Sequence, residues 1–212
     1  MASRCVTAVV VAMSLGIGLS GCKIVPISEE SSLQDVGFDA EGYAAGLWDE
    51  QVLPYFEAEA EPAATVIPSI VADLDAAGET HGYRPGEGSP WAFIVSGTGT
   101  VEAINTESRA GTLDVALDGA EPALTVTLQI GPVIRGNAIR DSLPFVSFKD
   151  FVNQLEYADA GKALTALAAE NFSGALDGLE IGDMVSFSGA ITMARSSDRL
   201  QVTPVELEKV AP

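Results

Sequence analysis

Beginning at position 91, several runs of the sequence alternate apolar and polar residues with the period of a β-strand. The first alternating run, residues 91–104, carries Gly97 and Gly99 two positions apart on one face. Glycines in that arrangement allow a long strand to bend sharply, as strands do at the corner of a barrel. Two further runs follow, at residues 111–119 and 124–130. Together the three runs predict a meander of antiparallel strands.

A helical segment follows the third strand. Residues 147–176 have apolar residues at helical spacing, and Ser147 with Asp150 three positions later resembles a capping box. Gly161 is expected to divide the segment into two helices. The predicted buried stripe of the first helix consists of Phe148, Phe151, Val152 and Leu155.

Two more strands are predicted after this helical segment, at residues 184–193 and 200–207. In the last strand the apolar alternation changes phase at Thr203-Pro204, which predicts a bulge or an edge. The resulting order is β-β-β-α-β-β. A helix between the third and fourth strands is the connectivity of the OB barrel. We therefore expect an α+β protein with an OB-like five-stranded barrel.

Residues 39–80 lack the strand alternation and predict a short helical segment before the barrel. Asp39 is expected to cap a first helix, which Pro54 ends or kinks. A second helix is expected to begin near Pro68 and to stop at Gly78.

The N-terminus has the layout of a secretory signal peptide. One arginine precedes an apolar run of 14 residues, Val6 to Leu19, shorter than the roughly 20 residues that cross a bilayer as a helix. The run leads into LSGC, the lipobox pattern of bacterial lipoproteins, whose cysteine is Cys22. We therefore expect cleavage before Cys22 and diacylglyceryl attachment to its thiol. Two or three palmitate-type acyl chains give a stable membrane anchor, which would face the periplasm.

The predicted organisation is a signal peptide at residues 1–21, the lipidated cysteine and a tether at 22–38, the helical segment at 39–80 and the barrel at 81–212. Whether the anchor enters the inner or the outer membrane stays open at this point.

Acidic side chains dominate the sequence after the signal peptide. This part contains 30 acidic and 10 basic residues and carries a net charge of −20. A field of this sign repels phosphate backbones, so we expect no nucleic-acid partner. We favour solubility as the reason for the acidity, and attraction to a basic partner is the alternative.

The inventory of catalytic groups is small. His81 is the single histidine and lies in a glycine-rich loop, where a solvated side chain is the usual case. Cys5 leaves with the signal peptide and Cys22 is acylated, so the mature chain is expected to have no free thiol. No phosphate-loop, dinucleotide-binding or nucleophile-elbow motif occurs in the sequence. We expect no enzymatic activity, no cofactor and no metal site.

One short stretch concentrates polar side chains. The segment LQIGPVIRGNAIRD, residues 128–141, leads from the third strand through a Gly-Pro turn toward the helical segment. In one interpretation it binds a saccharide or a small anion. In the other, which we favour, its arginines bind Asp141, Asp150 or carbonyl oxygens that the turns leave unpaired. The candidate residues are Gln129, Arg135, Asn137, Arg140 and Asp141.

Four stretches of the sequence are similar to one known family: SRAGTLDVALDG, LQIGPVIRGNAIRD, FKDFVNQLEYA and VTPVELE. They resemble the DUF2291 family of predicted periplasmic lipoproteins, and the resemblance covers roughly residues 36–212. The chain departs from the family pattern at Asn137 and Ile139, where Thr and Leu are commoner. Members of this family have no assigned catalytic residues and are often encoded near sugar ABC transporters of the ribose or xylose type.

The resemblance implies an envelope lipoprotein that assists sugar uptake. Together with the small catalytic inventory, it gives our preferred hypothesis of a non-catalytic, membrane-anchored accessory or scaffold protein of a sugar ABC transporter. The alternative is a saccharide- or small-anion-binding module that uses the corner at residues 129–141.

Overall fold

The computed structural model describes residues 37–210, so the signal peptide, Cys22 and most of the predicted tether lie outside the described residues. A π-helical turn joins the first two helices at Trp48–Val52, and 3-10 turns occur at Phe148–Asp150 and Gly174–Leu176. The α-helices are α1 Ala40–Leu47, α2 Leu53–Glu59, α3 Ala63–Ala72, α4 Leu74–His81, α5 Ala138–Asp141 and α6 Gln154–Ser173.

The strands are β1 Glu61–Pro62, β2 Trp91–Asn105, β3 Thr112–Leu117, β4 Thr125–Gln129, β5 Met184–Met193 and β6 Thr203–Lys209. They form one sheet in the order β4-β3-β2-β5-β6, with antiparallel neighbours, and the two-residue strand β1 pairs in parallel with β2. Helix α6 lies between β4 and β5 in the chain.

The sheet closes on itself where the chain enters β6. Val202 forms a parallel bridge with Leu128 of β4. Its carbonyl oxygen accepts from the Gln129 amide at 2.8 Å, and its own amide donates to the Thr127 carbonyl at 2.9 Å. This closure of a β-β-β-α-β-β chain confirms the predicted α+β fold and its OB-type barrel.

The long strand β2 passes from one neighbour to the other near its glycines. It pairs with β5 up to Thr100 and with β3 from Gly99 onward, and a bulge between Val101 and Ala103 follows. A side chain at Gly99 would collide with the carbonyl oxygen of Ala116 in β3. The glycine is therefore required by the close approach of two backbones at this corner.

The barrel interior is apolar. Alternating residues of every barrel strand point into it, as the period-two pattern predicted. Its fully buried members include Phe93, Val95, Leu113, Val115, Val126, Leu128, Val185, Ile191 and Val202.

A second apolar cluster joins the helices to the outer face of the barrel. Helix α1, the π turn and α2 contribute buried residues to it, and so does α6. Ile94 and Ala190 bring the opposite faces of β2 and β5 into the same cluster. Val205 also belongs here, whereas Leu207 faces the barrel interior. A register shift at Ser188/Gly189, opposite β6, confirms the predicted bulge and accounts for this change of phase.

The helical segment before the barrel differs from the prediction in three places. Pro54 lies in the first turn of α2 and the helical path continues past it, so the expected end of the helix at Pro54 is wrong, whereas the π turn interrupts the α-helical pattern directly before the proline. Pro68 lies inside α3, which begins five residues earlier at Ala63. Gly78 lies inside α4, where a side chain would collide with the ring of Trp91. Gly78 therefore allows close packing against Trp91 and does not end the helix.

The predicted N-cap of α1 is confirmed, because Oδ1 of Asp39 accepts from the Gly42 amide at 2.9 Å.

Helix α6 is continuous through Gly161, so the predicted division into two helices is wrong. Ser147 and Asp150 do form a capping box, but it caps only the 3-10 turn. The cap of α6 is Asn153, whose Oδ1 accepts from the amides of Leu155 and Glu156 at 2.8 and 3.0 Å.

The predicted buried stripe at the start of this helix is also wrong. Phe151 is buried, but Phe148, Val152 and Leu155 are exposed. The capping box and the Asn153 cap divide the segment into a 3-10 turn and the separate helix α6, so the four residues do not share one helix face.

None of the helices in the 37–210 region combines the length and the apolar character needed to cross a bilayer.

Candidate functional site

The corner at residues 129–141 is organised around the buried side chain of Gln129, at the end of β4. Its Oε1 accepts from the Arg135 amide at 2.9 Å, and its Nε2 donates to the Arg135 carbonyl oxygen at 3.2 Å. The same Nε2 donates to Oγ1 of Thr203 in β6 at 3.0 Å. Gln129 thus closes the loop that follows β4 and fixes it to the last strand.

Arg140 is buried in α5, and its guanidinium binds groups of the chain itself. Nε and Nη2 donate to Oδ1 of Asp141 at 2.9 and 2.6 Å. Nη1 donates to the Tyr157 carbonyl oxygen at 3.0 Å, and the guanidinium carbon lies 3.7 Å from the centre of the Tyr157 ring. These contacts hold α5 against α6.

Burial raises the pKa of the Tyr157 phenol, and the positive charge of Arg140 opposes that rise. Tyr157 was not among the residues singled out from the sequence. It lies on α6, against which α5 packs.

Asn137 stands at the N-cap position of α5, although its side chain makes no capping hydrogen bond. Its Oδ1 occupies the space next to Gly161, only 2.6 Å from where a β-carbon of that residue would lie. Gly161 is thus a contact point between the corner and α6.

The side chain of Arg135 makes none of these contacts and is exposed. It borders a cleft of about 290 Å³ together with Arg199, which precedes β6. The lining contains two arginines and no acidic residue, although residues 22–212 carry a net charge of −20. The other lining residues are Gln129, Gly136, Ala138, Thr192, Gln201 and Thr203.

The structure therefore divides the five candidate residues between two roles. Gln129, Asn137, Arg140 and Asp141 contact the chain itself, and Gln129 also forms the floor of the cleft that Arg135 borders. Sequence reasoning missed Arg199. The OB topology could have indicated Arg199, because the parallel closure of the barrel brings the residues before β6 beside the end of β4.

His81 belongs to α4 and not to the following loop, and its side chain is only 17% exposed, so the expected solvated position is wrong. Its Nδ1 lies 2.7 Å from Oε2 of Glu61, in β1. The pair connects α4 to the strand that borders β2. Across residues 37–210, no group of three His, Cys, Asp or Glu side chains is arranged to hold a metal ion.

The comparison with protein families places this chain. The model of DUF2291, described as "Predicted periplasmic lipoprotein", matches residues 10–208. The chain belongs to the DUF2291 family. The resemblance noted in the sequence is thereby confirmed, and the family description makes this DUF2291 protein a periplasmic lipoprotein of the bacterial envelope. No curated protein matches the chain.

Among solved structures, this DUF2291 protein is similar to an OB-fold protein from Thermotoga maritima, known from a crystal structure at 1.90 Å resolution. The match has a TM-score of 0.68 at 18% sequence identity and covers 82% of this chain and 99% of the other. At this identity the likeness concerns the fold alone, and it agrees with the closed barrel described above.

Proposed function

We propose that this DUF2291 protein is a non-catalytic lipoprotein, anchored in a membrane of the envelope through Cys22, that acts as an accessory or scaffold of a sugar ABC transporter. The observation that supports the non-catalytic role is that the buried polar side chains at the corner form their hydrogen bonds within the chain. Gln129 binds Arg135 and Thr203, and Arg140 binds Asp141 and Tyr157. Such groups stabilise a fixed shape. The transporter association rests on the gene neighbourhood that family membership implies.

Site-specific photocrosslinking in intact cells tests the transporter association. A photoreactive residue at Val71, which is 74% exposed on α3, or at Ile181, which is 69% exposed before β5, reports partners of two separate surfaces. We expect a permease or a binding protein of a sugar ABC transporter in the crosslinked product. Saturating crosslinking from both positions that yields other envelope proteins and never a transporter component contradicts the proposal.

The lipid anchor has its own test. Cys22→Ser removes the thiol that receives the diacylglyceryl group, so the variant should accumulate as an uncleaved precursor or as an unlipidated protein. Metabolic labelling with a fatty-acid analogue checks this directly. A Cys22→Ser variant that is still processed and labelled like the parent refutes the anchor.

A second candidate function is the binding of a small anion or an acidic saccharide in the Arg135–Arg199 cleft. The observation that favours it is the pair of exposed arginines, Arg135 and Arg199, that line a cleft without acidic residues. Arginine matches carboxylate and phosphate groups in charge and in planar geometry. Thr192 and Gln201 add hydrogen-bonding groups for hydroxyls to the same lining. A saccharide that carries one carboxylate or phosphate group fits this combination best.

Thermal unfolding with and without inorganic phosphate, a uronic acid and neutral hexoses tests the cleft. A ligand present at 100 times its dissociation constant adds about 2.7 kcal/mol to the free energy of unfolding. The double variant Arg135→Gln/Arg199→Gln should lose this stabilisation. Arg195→Gln is the matched control, because Arg195 is 81% exposed and does not line the cleft. An absence of stabilisation by any acidic compound rules out this second function.

A further inference from the structure

Three large apolar side chains lie exposed where the chain enters α6. Phe148 is 47% exposed, Val152 89% and Leu155 63%. They fall within eight consecutive residues, and we call these three side chains the apolar patch. Exposed apolar groups gathered in this way mark an interaction surface more often than exposed groups scattered singly.

The backbone that carries the apolar patch is fixed by local caps. The Asp150 carboxylate accepts from the Ser147 amide at 3.0 Å, and Oε2 of Glu156 accepts from the Val152 amide at 3.0 Å. Both acidic side chains next to the patch are therefore turned toward the backbone. Lys149 is exposed between Phe148 and Asp150 and has no ion-pair partner within the described region. The apolar patch is thus flanked by one lysine and by two carboxylates that accept backbone hydrogen bonds.

An aromatic cluster lies under the patch and links it to the start of the globular part. Phe148 and Phe151 each contact the Tyr157 ring, with centroid distances of 5.6 and 5.3 Å. Phe151 also contacts Phe38 and Tyr43, in both cases at 5.3 Å. Phe38 follows Cys22 by 16 residues, a separation that an extended chain spans in at most about 55 Å. Phe38, the first residue of the globular part, therefore lies in the aromatic cluster next to the patch.

We infer that the apolar patch contacts the surface of the lipid bilayer that holds the Cys22 anchor. This inference rests on the lipid anchor of the proposed function. A lipid at Cys22 keeps this face near a bilayer at high effective concentration, so a weak surface interaction suffices. Apolar side chains beside a lysine are typical of segments that lie in the lipid interface, where the ammonium group reaches the lipid phosphates.

A fluorescent probe at position 152 tests the contact in the complete lipoprotein. With Cys5 removed and Cys22 acylated, the mature Val152→Cys variant has one reactive thiol, which is labelled with an environment-sensitive dye. The protein is reconstituted into phosphatidylcholine vesicles with and without a lipid-borne quencher. Asp118→Cys, in the exposed turn between β3 and β4, is the matched control. We expect a blue-shifted emission and strong quenching at position 152, and at least about a twofold weaker quenching at position 118.

A second variant separates the patch from the anchor. Val152→Cys with Phe148→Ser and Leu155→Ser should still float with the vesicles, but its label should be quenched no more than that of Asp118→Cys. Equal quenching of the labels in the single variants Val152→Cys and Asp118→Cys overturns the inference. A blue-shifted emission at position 152 without quenching by the lipid-borne quencher also overturns it, because contact with a second copy of the chain would give that result. If the parent takes up dye at Cys22 or fails to float with vesicles, the anchor itself is wrong, and that failure is seen before any quenching is measured.

Discussion

The guanidinium carbon of Arg140 lies 3.7 Å from the centre of the Tyr157 ring, and its Nη1 donates to the carbonyl oxygen of the same tyrosine at 3.0 Å. One side chain therefore contacts both the backbone and the ring of a residue that is 17 positions away in the sequence. Because the Tyr157 ring also contacts Phe148 and Phe151, Arg140 joins the corner after β4 to the base of the apolar patch.

Replacement of Arg140 should destabilise the protein. Arg140→Met keeps most of the apolar stem but removes three hydrogen bonds and leaves the Asp141 carboxylate without its partner. We expect a loss of about 2–4 kcal/mol in the free energy of unfolding. Urea unfolding followed by circular dichroism measures it. Arg195→Met is the control, since Arg195 is 81% exposed and should change stability by less than about 0.5 kcal/mol. Equal stability of the two variants would refute the clamping role of Arg140.

Gly131, at the first turn of the corner, should not tolerate a side chain. A β-carbon there would collide with the backbone of Arg109 and Gly111, which cannot move aside as a flexible side chain could. We expect Gly131→Ala to cost about 1–3 kcal/mol. Gly46→Ala is the matched control, because Gly46 lies in α1 with open space around it and should gain up to about 1 kcal/mol. Thermal unfolding of both variants should therefore shift in opposite directions.

The barrel was predictable from the sequence because successive side chains of a strand point to opposite faces, and the side chains that point into the barrel are apolar. The run at residues 91–104 matches β2 within one residue, and the phase change at Thr203-Pro204 matches the bulge in β6. The glycines and prolines in the helices were misinterpreted. The local pattern predicts a helix start at Pro68 and a helix end at Gly78, but both residues lie inside helices, and the contact with the Trp91 ring requires a glycine at position 78.

The candidate site was predictable only in part, for a related reason. The local stretch at residues 129–141 contains Arg135, but Arg199 lies 64 positions further along the chain. Only the closure of β4 against the residues before β6 brings the two arginines to one cleft. The apolar patch was missed because helical spacing was taken to continue through Asn153, which instead begins a new helix.

The loop closure by Gln129 can be tested at the level of one amide. Gln129→Leu removes the acceptor of the Arg135 N–H, so the exchange protection of that amide should be lost while the amides of β2 and β5 keep theirs. The free energy of unfolding should fall by about 1–2 kcal/mol, since Oγ1 of the buried Thr203 also loses its donor. Hydrogen exchange followed by NMR measures both effects. Gln51→Leu, on the exposed face of the π turn, is the control. Retained protection at Arg135 would show that the loop is held by other contacts.

The pair of Asp183 and Lys209 predicts a specific dependence on pH. The hydrogen bond from Lys209 and then the Glu180 amide hold the pKa of the Asp183 carboxyl below its ordinary value of 3.8. A carboxyl whose pKa is lower in the folded than in the unfolded state contributes stability above the unfolded value and loses it as the pH falls through the folded value. Asp183→Asn should therefore be less stable than the parent at pH 7, and the difference should shrink below about pH 3.8.

Titration of the carboxyl carbons by NMR measures the same effect at its source. Lys209→Met removes the first and largest cause of the shift, so the pKa of Asp183 should move up toward 3.8. Lys162→Met is the control, because Lys162 binds Asp159 on α6 at 2.7 Å and lies outside the surroundings of Asp183. If both lysine variants leave the pKa of Asp183 unchanged, the Glu180 amide alone lowers that pKa. The 2.6 Å contact between Lys209 and Asp183 then has no measurable effect on the titration in solution.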